Sequence, residues 1–139
     1  MKLGELQVAL RTRDWAILTA THDGEPEITS NVANGFLRTQ LDNFDVIELR
    51  GSYKGIPQGK SFLVFGIPSV IAIALGRQFG QESVLLPHGL VFCADESYCP
   101  IGEIIFGESA KSSECWSEII DGPAFSFVID WNTRIRAAA

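Results

Sequence analysis

The chain is short of the side chains that most often build catalytic and metal centres. Its 139 residues include two histidines, His22 and His88, and three cysteines at irregular spacing, Cys93, Cys99 and Cys115. Structural zinc is usually held by four ligands with cysteines in close pairs, and no C-x-x-C pair occurs here. We therefore expect no metal site and no cofactor, and we expect the cysteines to be reduced thiols.

Signatures of nucleophilic and nucleotide-dependent catalysis are also missing. The sequence has no G-x-S-x-G, no P-loop, no dinucleotide-binding glycine pattern and no H-E-x-x-H. A serine or cysteine nucleophile needs a nearby base, and both histidines fall in predicted turns. Cys93 follows His88 by five residues, an odd spacing that would place the two on opposite faces of one strand. A small hydrolase stays open as an alternative, but the sequence favours a binding protein.

Long hydrophobic runs and an excess of basic charge are absent as well. The longest nearly apolar run, residues 62–75, has 14 residues, whereas a helix needs about 20 to cross a bilayer. No basic region precedes an apolar segment at the start, so we expect no signal peptide and a cytoplasmic protein. The formal net charge of −6 argues against nucleic-acid and membrane partners, because both attract clustered lysine and arginine.

The hydrophobic pattern predicts a single α+β domain over residues 1–136, with a mainly antiparallel sheet packed with two or three helices. The final three residues, 137–139, resemble a cloning scar and are left out of that domain. The segment 111–120 is ambiguous between helix and strand. Helices are expected over residues 2–12, 29–43 and 68–79, and strands over residues 14–21, 44–50, 60–65, 82–86, 90–94, 102–106 and 124–131.

Polar residues on the second predicted helix form one part of a candidate binding site. At 100° per residue, Asn31, Asn34 and Arg38 fall on one side of this helix. They form either a solvated surface or a set of side chains that point into a site. The opposite, apolar face is expected to pack on the sheet and consists of Val32, Phe36, Leu37, Leu41 and Phe44.

The loop sequence G-S-Y-K-G forms the second part of the candidate site. Its glycines permit close approach of the backbone, Ser52 supplies a hydroxyl, Tyr53 an aromatic surface and Lys54 a positive charge. Gln81 and Glu82 follow the third predicted helix and would lie beside this loop if the strands around them are neighbours. In the alternative interpretation the glycines only shape a turn, and Tyr53 packs on the sheet.

Five short motifs follow one another between residues 14 and 92. They are W-x-I/L-x-T-A at 15–20, an asparagine-bearing helix, G-x-Y-x-G at 51–55, S-F-L-V at 61–64 and F-G-Q-E-S-V at 79–84. In this order they resemble a family of small uncharacterised proteins of bacteria and their phages, described as a domain of unknown function. The resemblance implies a phage or mobile-element origin, and it implies no mechanism because the family has no established activity.

These observations lead to one main hypothesis and two alternatives that involve protein partners. We expect a binding protein that captures a polar small molecule, nucleotide-like in character. The first alternative is an inhibitor or regulator of a host enzyme, with Trp116 and Trp131 as interface anchors. In the second, an exposed edge strand within residues 123–136 makes a homodimer. The expected ligand-binding residues are Asn31, Asn34, Arg38, Ser52, Tyr53, Lys54, Gln81 and Glu82.

Overall fold

A computed structural model describes residues 1–53 and 56–136 of the chain, the side chains of Tyr53 and Ile56 excepted. None of the helices in these residues is both long and apolar enough to span a membrane. The helices are α1 (Leu3–Thr12), α2 (Glu27–Gln40) and α3 (Ser69–Gln78), and a 3₁₀ helix covers Glu108–Ser112. The strands are β1 (Trp15–Leu18), β2 (Asp45–Tyr53), β3 (Ile56–Phe65), β4 (Ser83–Leu86), β5 (Gly89–Phe92), β6 (Tyr98–Phe106), β7 (Cys115–Ile119) and β8 (Ala124–Ile129).

The eight strands close into an antiparallel barrel, rather than the sheet packed with helices that the sequence predicts. Their order around the barrel is β1-β3-β2-β7-β8-β6-β5-β4, and the pair of Ile17 with Leu85 joins β4 back to β1. The α+β class and the antiparallel pairing are confirmed. The expected edge strand near the C terminus is wrong, because β8 lies between β7 and β6.

The G-S-Y-K-G sequence lies mostly in strand instead of in the long loop that was expected. β2 continues to Tyr53 and β3 begins at Ile56, so the two strands form a hairpin. Their register shifts between Leu49 and Gly51, a bulge that bends the strands where the hairpin reaches the end of the barrel. Lys54 lies outside the described residues, as do residues 137–139.

Alternate side chains of the strands fill the barrel interior. Trp15 and Ile17 of β1 point inward with Leu63, whereas Ala16 and Leu18 point outward beneath the helices. The apolar face of α1 packs against this interior cluster. Because α1 directly precedes β1, it closes the end of the barrel at which β1 begins. The α1 residues in that cluster are Leu6, Ala9 and Leu10, and the Leu10 carbonyl accepts a hydrogen bond of 3.0 Å from Trp15 Nε1.

The second helix packs on the outside of the barrel with part of the predicted face, because Leu37 and Leu41 are buried as expected. Val32 and Phe36 are 56% and 65% exposed, whereas Ser30 and Asn34 are buried. Each buried polar side chain has a partner that offsets the loss of water. Ser30 Oγ donates to Glu25 Oε1 at 2.9 Å, and Asn34 forms two hydrogen bonds to the segment after β1.

Replacing Asn34 with alanine should lower the free energy of unfolding by about 1–3 kcal/mol, because a buried backbone N–H would lose its acceptor. Asn31→Ala, on the exposed face of the same helix, should change it by less than about 0.5 kcal/mol. Urea unfolding followed by circular dichroism measures both values. Equal losses in the two variants would contradict the assigned roles.

Candidate functional site at the open end of the barrel

The end of the barrel opposite α1 contains a cavity of about 230 Å³, here called the mouth cavity. The ends of β1, β2 and β8 meet the beginnings of β3 and β7 at this point, because neighbouring strands run antiparallel. Its walls include Thr19, Gly51, Ser61, Ser117, Phe125 and Phe127.

Hydroxyl groups form the outer part of the mouth cavity. Ser61 pairs across the sheet with Leu49, an interior residue, and Ser117 pairs with Gly51, two residues further along β2. Because side chains alternate along a strand, both serines face the interior. Among the described residues neither hydroxyl has a hydrogen-bond partner in the protein, so both can bond to a ligand. Thr19 Oγ1 donates to the Lys60 carbonyl at 2.7 Å and accepts from the Thr21 N–H at 3.1 Å, so it is already bonded within the protein.

Aromatic rings form the inner part of the mouth cavity. Phe127 stacks on Trp15 with ring centres 5.2 Å apart, and it meets Phe125 edge to face at 5.6 Å. The cavity floor is therefore the top layer of the packed barrel core. A ring placed on this floor would bury apolar surface without forming a new pocket.

The walls of the mouth cavity carry no charged side chain within the described part of the chain. Nearby charges lie in cross-strand ion pairs on the outside of the barrel, Arg50 with Glu118 at 2.8 Å and Lys60 with Glu48 at 2.8 Å. The hydrogen bond from Lys111 to Glu118 also holds the pKa of that carboxyl below its usual value. These charges are satisfied by one another outside the cavity.

The segment after β1 is held at the rim of the mouth cavity by side chains behind it. Asn34 Oδ1 accepts from the Ala20 N–H at 2.8 Å, and Asn34 Nδ2 donates to Thr21 Oγ1 at 2.8 Å. Gln81 Nε2 donates to the Thr21 carbonyl at 3.2 Å. On the cavity side Thr21 packs against Gly59, where an added Cβ would lie 2.8 Å from Thr21 Oγ1. Asn34 and Gln81 therefore fix the position of Thr21.

The structure brings three of the eight predicted site residues to this region. Ser52 lines the mouth cavity, and Asn34 and Gln81 reach its rim through Thr21. Their contacts to the backbone and to Thr21 make Asn34 and Gln81 positioning residues in this structure.

The other predicted residues are not placed at the mouth cavity. Asn31, Arg38 and Glu82 are exposed outside its walls, and Arg38 Nη1 pairs with Asp42 Oδ1 at 3.0 Å on the helix surface. Lys54 and the side chain of Tyr53 lie outside the described residues. Of the three polar residues predicted to share one side of α2, Asn34 is therefore buried against the barrel wall, whereas Asn31 and Arg38 lie on the exposed helix surface.

Sequence reasoning missed two serines and two phenylalanines that line the mouth cavity, Ser61, Ser117, Phe125 and Phe127. Ser61 precedes four consecutive apolar residues, 62–65, so no alternation in the sequence revealed that its side chain points inward. Ser117 lies in the segment 111–120, for which no strand was predicted. Phe125 and Phe127 were expected to share one face of a strand, and that face is the barrel interior.

His22, His88 and Cys93 are not among the described residues that line the mouth cavity. His22 Nε2 bonds to the Gly80 carbonyl at 3.2 Å, and His88 packs edge-on against Tyr98 at 4.6 Å. Burial lowers the pKa of His88 and raises the pKa of the Cys93 thiol. Within the described residues no group of three or more histidine, cysteine, aspartate or glutamate side chains could hold a metal ion.

A comparison with models of known protein families finds no match to this chain. A comparison with curated proteins finds none either. The resemblance to a phage-associated family stays a prediction, and function is inferred from the chemistry of the cavity walls.

The three thiols should differ in their reaction with a disulfide reagent under native conditions. Cys115 lines the mouth cavity and is partly exposed, whereas Cys93 and Cys99 are each 3% exposed. One thiol should react quickly and two only as the protein opens, because the reagent must reach a thiolate. Cys115→Ser should remove the fast phase, and a fast phase that persists would contradict the described burial.

Proposed function

We propose that the protein binds a small molecule in the mouth cavity through an uncharged part that has a polar edge and an apolar body. The supporting observation is the arrangement of the hydroxyls of Ser61 and Ser117 above the rings of Phe125 and Phe127. The polar edge of the ligand would bond to the serines while its body covers Phe127. Such a site has the mixed apolar and polar walls typical of small-molecule pockets.

The size of the mouth cavity narrows the class of ligand. Its volume of about 230 Å³ is roughly the space of eight waters at about 30 Å³ each, or of a ligand with on the order of ten non-hydrogen atoms. A nucleobase, a phenol or an indole has this size. For a nucleotide-like ligand we therefore assign the base to the cavity, since the described walls offer no cation to a phosphate.

A thermal-shift screen of nucleobases, nucleosides, nucleotides, phenols and indoles tests this proposal. A ligand at a hundred times its dissociation constant should stabilise the protein by about 2.7 kcal/mol, which raises the melting temperature by several degrees. Ser117→Val fills the outer part of the cavity and should abolish the shift. Ser61→Ala removes a hydroxyl but keeps the space, and it should weaken binding by about 0.5–1.5 kcal/mol.

Ser112→Val is the matched control, because Ser112 is exposed on the 3₁₀ helix and away from the cavity walls. It should keep the full ligand-induced shift. A ligand that stabilises Ser117→Val as strongly as the unchanged protein binds elsewhere and would refute the proposed site. Absence of a shift across the whole panel would refute the proposed class of ligand.

Self-association is a second candidate function, favoured by a row of exposed apolar side chains on α2. Ile28, Val32 and Phe36 are 74%, 56% and 65% exposed and stand one turn apart on the same side of the helix. In an antiparallel pair of α2 helices, Ile28 would face Phe36 of a second copy. The apolar row is therefore self-complementary.

Phe36→Ser should shift the protein from dimer to monomer if α2 is the interface, because it removes the largest exposed side chain of the row. Val8→Ser is the control, since Val8 is 62% exposed on α1. Sedimentation over a wide concentration range measures the change. If the protein is monomeric at every concentration, a second copy does not cover the apolar row of α2. The partner at this surface would then be a different protein, such as the expected host enzyme.

A further inference from the structure

The backbone pairing of β7 with β8 is short and leaves a gap in the ladder beside the last part of β8. The register of these strands consists of two pairs and ends where Ser117 faces Phe125. β8 continues to Ile129, which pairs with Ile101 of β6 on the other side. The last part of β8 is therefore paired with β6 on one side and is not paired with β7 on the other.

A second cavity, here called the seam cavity, lies at this gap and has a volume of about 210 Å³. Three side chains line both the seam cavity and the mouth cavity: Cys115, Phe127 and Ile129. The two cavities are therefore neighbours that share a wall at the point where β7 and β8 separate. Phe127 therefore lies between the barrel interior and the outer surface at this place.

The outer part of the seam cavity differs chemically from the mouth cavity. Glu114 supplies a carboxylate and is exposed, and among the described residues it has no ion-pair partner. Trp131 follows β8 and is 57% exposed, so the face of its indole is available. A carboxylate beside an indole favours a cation, and an ammonium group is attracted to both.

We propose that the ligand is elongated, with an uncharged ring in the mouth cavity and an ammonium group at Glu114 and Trp131 in the seam cavity. The class of ligand is an arylalkylamine, and the inference rests on the proposed function of the mouth cavity. The net charge of −6 agrees with a cationic ligand, because it attracts cations over a longer range. Glu114 and Trp131 determine specificity, while Ser61 and Ser117 hold the ring.

Two ligands of the same skeleton, tyramine and 4-(2-hydroxyethyl)phenol, separate the two cavities experimentally, because each carries a phenol hydroxyl for the serines and the two differ only in the amine or alcohol at the end of the side chain. Calorimetry at low salt should give an amine affinity about threefold to tenfold above that of the alcohol, the range expected for an exposed cation with one carboxylate and one indole. Glu114→Gln should remove this advantage and leave the alcohol affinity unchanged. Added salt should weaken binding of the amine alone.

Glu5→Gln is the charge-matched control, because Glu5 is exposed on α1 at the closed end of the barrel. It should keep the advantage of the amine. Equal affinity for amine and alcohol, or an advantage that persists in Glu114→Gln, would overturn the seam proposal while the mouth cavity stands. If Ser117→Val leaves the binding of both ligands intact, the proposed function of the mouth cavity and the seam proposal both fail.

Discussion

Closure of the barrel depends on the four residues of β1. The strand pairs with β3 along its whole length, but its register with β4 is the single pair of Ile17 with Leu85. Both faces of β1 are buried, one in the barrel interior and one beneath α2 and α3. So short a strand has few backbone hydrogen bonds, and side chains outside the sheet therefore hold its continuation in place. Asn34 and Gln81 supply these contacts from α2 and from the end of α3.

The same contacts connect stability with the candidate site. Asn34 and Gln81 satisfy buried backbone groups, and in doing so they place Thr21 against Gly59 at the rim of the mouth cavity. The cavity floor is equally part of the core, because Phe127 stacks on Trp15. A rigid site follows from this arrangement, since its walls are side chains that the barrel needs for its own packing. Rigid walls reduce the entropy cost of binding, because the side chains of the site are already ordered before a ligand arrives.

Local patterns in the sequence predicted most elements but not their assembly. The helix at α1 and the turn at Gly80, whose φ is +68°, follow from apolar spacing and from the freedom of glycine. Barrel closure depends instead on pairs such as Leu49 with Ile119, which no window of neighbouring residues contains. The buried face of α2 was predicted only in part, for a related reason. Asn34 has the appearance of a solvated residue until its partners, thirteen and fourteen residues away, are known.

The candidate site was predictable only in part. Ser52 was recognised from the composition of its loop, and Asn34 and Gln81 from their polarity, although they position Thr21 and do not line the cavity. Ser117 belongs to the five-residue strand β7, which carries polar residues on both of its faces. Such a strand shows little hydrophobic periodicity in the sequence. Its inward direction is imposed by its pairing with Gly51 of β2.

The position of β7 in the barrel also has a consequence for how the chain reaches its native state. β7 and β8 are the last strands in the sequence, yet they lie between β2 and β6 and complete the wall. During synthesis, the edges of β2 and β6 therefore stay open until β7 and β8 have emerged. Pairings across such long separations form slowly, and open strand edges pair with those of other chains. Shortened chains that stop before residue 115 should for this reason aggregate, which light scattering would detect, and delayed closure makes the nascent protein a natural client for chaperones.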